Sequence, residues 1–115
     1  MDKVFISQPV TGLTEEEIKN DREKAIEECK KILGDDIEIL ETIFDEKDYP
    51  DMKPLGFIGK DIQILADAKY FYSAKGWEQS KGCRVERLCA QLYHISIIND
   101  PKVQIEIQRK KEMFS

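Results

Sequence analysis

The chain has 115 residues, 41% of them apolar and 36% charged, which suits a single water-soluble domain built on one core. A net charge of −5 and an isoelectric point near 5.0 argue against non-specific nucleic-acid binding, because neutralising phosphates requires a basic face. No apolar run reaches bilayer-spanning length, no basic-then-apolar leader follows Met1, and the three cysteines form no CxxC pair, so a cytoplasmic protein with reduced thiols and no membrane contact is expected.

Lys3-Val4-Phe5-Ile6-Ser7 is a short β-rich apolar run and reads as a buried parallel strand. The segment 8–13 follows as a loop. Thr14 and Glu17 then form a capping box, with acidic residues 15–17 complementing the helix dipole. Ile18, Ala25, Ile26, Cys29, Ile32 and Leu33 give that helix one apolar stripe, and Gly34 is its stop signal. Residues 37–44 read as the second strand. Residues 45–53 are charged, contain Pro50 and read as a loop, mobile unless something orders it. Pro54 opens a second helix reaching about Ala66, residues 69–74 form the third strand, a helix runs from Cys83 to His94, and residues 95–98 form the fourth strand. In the tail, Val103, Ile105 and Ile107 alternate with polar residues, as in an edge strand. Asp100-Pro101 instead resembles an N-cap and first helical position, and helix is the preferred reading.

Strands alternating with helices predict an α/β fold: a three-layer, flavodoxin-like (Rossmann-like) α/β/α domain over residues 1–115, with a four- to five-stranded, mainly parallel sheet. Ligands of such sheets bind beyond the carboxyl ends of the strands. Four loops leave those ends, and the one after the third strand, Gly76-Trp77-Glu78-Gln79-Ser80-Lys81-Gly82, is the most informative. A glycine-bearing strand-to-helix loop offers backbone N–H groups to a ligand.

Two carboxylates belong to the same region. Glu86 sits in what reads as the first turn of the following helix, where the dipole favours its ionised form. With Val85, Leu88, Cys89 and Leu92 as the apolar stripe, Glu86 lies at the stripe's border, at about 100° per residue. On the preceding helix Leu55, Ile58, Ile62 and Leu65 form the stripe, and Asp61 lies roughly 60° from its centre by the same arithmetic. Two border carboxylates near one pocket can serve as surface salt-bridge partners, with Lys60 or Arg84, or as the acid and nucleophile of glycosidic-bond chemistry. Trp77 reads either as a pocket wall stacking on a flat ring or as a hydrophobic anchor. Ser7 and Gln8 follow the first strand and can hydrogen-bond a ligand. His94, the single histidine, has no ligand partner nearby, so no metal site is expected.

The opening Lys3-Val4-Phe5-Ile6-Ser7-Gln8-Pro9-Val10-Thr11-Gly12 resembles the strand–Ser–Gly–Pro–Ile–Thr–Gly start of nucleoside 2-deoxyribosyltransferase-like proteins. Asp61…Leu65-Ala66-Asp67 resembles the helix that ends before their third strand. Residues 76–86 resemble the Gly-Trp-x-x-Ser-x-Gly-x-x-x-Glu block of the short phage and bacterial members. The resemblance runs in order from residue 3 to about residue 98. It implies a homo-oligomeric protein acting without metal or cofactor on a small-molecule nucleoside or nucleoside 5′-monophosphate. Glu86 would be the nucleophile at the anomeric carbon and Asp61 its partner in catalysis, with Ser7, Gln8, Pro9, Gly76, Trp77, Ser80 and Gly82 binding substrate. Gln8 departs from the family's glycine, and Lys75 stands where short members often carry proline. A non-catalytic nucleotide-binding or sensing module with the same pocket is the alternative.

Overall fold

The computed structural model describes residues 1–114. Its elements are β1 (Asp2–Ser7), α1 (Glu15–Leu33), β2 (Ile37–Ile39), α2 (Pro54–Leu65), β3 (Tyr70–Ser73), α3 (Lys81–Leu92), β4 (Ser96–Ile97) and α4 (Pro101–Phe114). Short 3-10 turns at Glu46–Asp48 and Trp77–Gln79 interrupt two of the loops. The four strands form one all-parallel sheet in the order β2-β1-β3-β4, so β1 and β3 are its centre.

Side-chain alternation along the central strands creates the layers. Val4 and Ile6 of β1 point to one face, where they meet Ala25 and Cys29 of α1, Ile98, and Ile107 of α4. Phe5, between them, points to the other face and packs with Phe71, Leu65 of α2 and Ala90 of α3. The Phe5 and Phe71 rings stack at 5.5 Å. Two helices thus cover each face, the three-layer α/β/α arrangement that the alternation of strand and helix patterns predicts.

Local signals set most boundaries. Thr14 and Glu17 make the reciprocal capping box at the start of α1, and Gly34 ends it. Asp100 caps α4 by accepting from the Lys102 amide, so the tail is helical. Lys111, near its end, donates to the Ile32 carbonyl at the C-terminus of α1 (2.7 Å), where a cation complements the dipole.

The end of β2 and the start of α3 differ from expectation, and neighbouring side chains order the loop at 45–53. β2 ends at Ile39 rather than at residue 44. The Leu40 amide still bonds to Val4 O, but Thr42 then turns inward to face the end of β1. Residues 45–53 are held by side chains: Phe44, Tyr49 and Phe57 meet edge to face, and the Lys60 ammonium lies over the Phe44 and Tyr49 rings at 4.8 and 5.0 Å. α3 begins at Lys81, two residues before the expected start, because Ser80 caps it by accepting from the Cys83 amide.

Candidate active site

β1 and β3 are neighbours, but β1 leads outward to β2 and β3 outward to β4. The sheet's order therefore reverses between them, and a crevice opens above their carboxyl ends. A cleft of about 60 Å³ lies there, lined by Phe5, Ile6, Gln8, Val10, Thr42, Ile43, Asp61 and Glu86. Both acids therefore line one cleft.

Glu86 is 5% exposed. α3 starts early enough that Glu86 lies in its second turn, not its first, and the dipole no longer holds it ionised. Burial instead pushes its carboxyl up to about 8; the Ser7 hydroxyl opposes the shift and Asp61 adds to it. Ser7 Oγ donates to Glu86 Oε1 at 2.6 Å. Burial also raises the Asp61 carboxyl, opposed by its contact with Glu86 and by the Lys60 ammonium. Asp61 Oδ1 is buried without a hydrogen-bond partner among the described residues. Burial thus favours the neutral form of Glu86, in place of the expected ionised carboxylate.

The remaining sequence candidates surround this pair without all entering the cleft. Gln8 lines it, but its amide is occupied: Nε2 donates to Ile18 O, and Oε1 accepts from Arg22. Pro9 lies against Gly76, whose φ of 86° is a left-handed conformation that suits glycine. Gly82 lies beside Ile58 of α2, where a Cβ would make an ordinary contact at 3.9 Å. Ser80 is the helix cap, and its hydroxyl also reaches the Cys83 thiol. Trp77 stacks on the Arg87 guanidinium at 4.3 Å and is not part of the cleft lining.

Several residues that the sequence did not single out complete the site. Thr42, Ile43 and Val10 form its outer wall. Arg22 braces that wall from behind, donating to Gln8, Thr42 and the Leu40 carbonyl. Arg87 donates to Ser73 Oγ (2.6 Å) and pairs with Asp100, while Asn99 bonds both backbone groups of Ser73. These contacts fix α3 against β3 one residue from Glu86. Only the fold reveals them, because each joins residues far apart in the chain. No family model, curated protein or solved structure matches this chain.

Proposed function

We propose that this cleft cleaves or transfers at the N-glycosidic bond of a (deoxy)nucleoside or nucleoside 5′-monophosphate, with Glu86 as nucleophile and Asp61 as proton donor. The pairing of buried Glu86 with half-buried Asp61 carries the reading. Two facing carboxyls that keep one proton between them supply both an acid and a base, and Asp61 Oδ1, without a partner among the described residues, is free to meet a polar group of substrate. In the reactive arrangement the proton sits on Asp61. A Glu86 carboxylate oxygen then bonds to the anomeric carbon as the carbon–nitrogen bond breaks, and the departing base takes the Asp61 proton. Water or a second base resolves the glycosyl ester. Ser7 orients Glu86 Oε1 and leaves its other oxygen for the sugar.

A cleft of about 60 Å³ has room for about two waters, well below the roughly 300–1,000 Å³ of small-ligand pockets. Substrate entry therefore requires the cleft to widen. The partners read for this protein are the small-molecule substrate and further copies of itself.

The test is incubation with a panel of deoxynucleosides and their 5′-monophosphates, followed by chromatography for free base. Release from at least one substrate, abolished in Glu86→Gln, is expected. Saturable binding with no release across the panel would instead make the protein a binding module.

A further inference from the structure

Cys83 is 3% exposed, yet it belongs to neither apolar cluster of the core. Cys29 lies in one of those clusters and Cys89 packs against the other, whereas Cys83 is set among polar side chains. It stands one turn before Glu86 on the same face of α3, where it meets Ser7 of β1 and Ser80 at the helix cap. Burial raises its thiol; the contacts with Ser7 and Ser80 oppose the shift, and Glu86 and Asp61 add to it. The group therefore keeps its hydrogen at neutral pH, which makes it a poor nucleophile but a standing hydrogen-bond donor.

The hydrogens on this side of the cleft can be assigned one by one. Ser7 has a single hydroxyl hydrogen and donates it to Glu86 Oε1, 2.6 Å away. Toward Cys83 the Ser7 oxygen can then only accept. Ser80 Oγ already accepts from the Cys83 amide at 3.3 Å, and its own hydrogen remains for Cys83 Sγ. We propose that Cys83 is a positioning residue for Glu86: its S–H donates to Ser7 Oγ and completes a one-way chain from Ser80 through Cys83 and Ser7 to Glu86. Without that donor the Ser7 hydroxyl is free to turn, and a protonated Glu86 can donate to it instead. With it, Glu86 Oε1 stays an acceptor, and a proton on Glu86 is confined to the other oxygen. The carboxylate, the form that attacks, thus keeps a fixed donor. The other charged groups at this point come from α2: Asp61 faces Glu86, and the Lys60 ammonium acts on Asp61.

The inference rests on the reading of Glu86 as nucleophile, but its test needs no turnover. In protein isotope-labelled at the glutamate carboxyls, NMR follows the titration of Glu86, assigned by the signal that Glu86→Gln removes. The wild-type midpoint is expected at about 8. Cys83→Ala should raise it by about half a pH unit or more, and Cys83→Ser, which keeps a donor, should return it toward wild type. A second readout leaves the thiol in place, in case Cys83→Ala does not fold. The infrared S–H band that Cys83→Ser removes should move to higher frequency in Ser7→Ala. On a substrate that wild type cleaves, Cys83→Ala should lower kcat by roughly tenfold with KM nearly unchanged. An unchanged Glu86 midpoint in folded Cys83→Ala, or an S–H band that does not respond to Ser7→Ala, would overturn the role of Cys83. A wild type that releases no base would overturn the glycosidic reading instead, and the titration and the S–H band would still decide the chain.

Discussion

Glu86 shows how burial can invert the chemistry that a sequence position suggests. That both acids would line one cleft was legible, but the expected border phase of Glu86 was not met: α3 turns Glu86 inward, away from Val85, Leu88 and Leu92. Its depth was not legible either, because it depends on Ser7 arriving from β1, far away in the chain. The raised carboxyl has a consequence for stability. A group with a folded pKa of about 8 and an ordinary value of 4.5 binds more protons folded than unfolded between those pH values. The stability it contributes is full below pH 4.5 and is lost as pH rises through about 8. Glu86→Gln removes the ionisation while keeping the shape and an acceptor for Ser7. Denaturant unfolding should show the variant more stable than wild type by about 1–3 kcal/mol at pH 8, a difference that shrinks towards zero at pH 4. Equal stability at both pH values would mean that Glu86 is not held in its neutral form.

At the scale of elements, the strongest local signals translated directly. The Thr14–Glu17 box, the Gly34 stop and Asp100-Pro101 each became the cap they resemble. What failed was the choice of face on α3. Counting apolar residues favours Val85, Leu88 and Leu92, but Ala90 packs with Phe5 and Phe71, Cys83 is buried beside Ser7, and Arg87 bonds Ser73 and Asp100. Tertiary fit thus overrode the pattern, just as Thr42, held by Arg22, shortened β2. The ends of α3 give two measurements. Ser80→Ala removes the oxygen that accepts from the Cys83 amide and should cost about 1 kcal/mol in chemical denaturation. His94 follows the helix with φ of 60°, and the Ile95 amide behind it closes onto Ala90 O. His94→Gly relieves the left-handed strain and should stabilise by up to about 1 kcal/mol, read as a higher melting temperature.

On the scale of the molecule, the order β2-β1-β3-β4 places the crevice between β1 and β3, and the loops leaving their ends could be named from the strand pattern alone. The wall that closes the crevice could not, since residues 42–49 are anchored by rings and a lysine separated in sequence. Phe44→Ala removes one ring of that anchor. Hydrogen exchange should quicken at amides 43–52 and remain slow in β1 and β3, where opening requires global unfolding. Catalysis by a shared proton predicts a rate that falls as pH rises through about 8, when the pair loses that proton, so kcat/KM should decline on the alkaline side. The most direct measurement is peptide mass spectrometry after rapid acid quench of the protein with a deoxynucleoside that it cleaves. Wild type should carry one deoxyribosyl group on the peptide containing Glu86, and Glu86→Gln should carry none and release no base. Base release by Glu86→Gln at the wild-type rate, with no sugar on Glu86 in either protein, would contradict the nucleophile assignment outright.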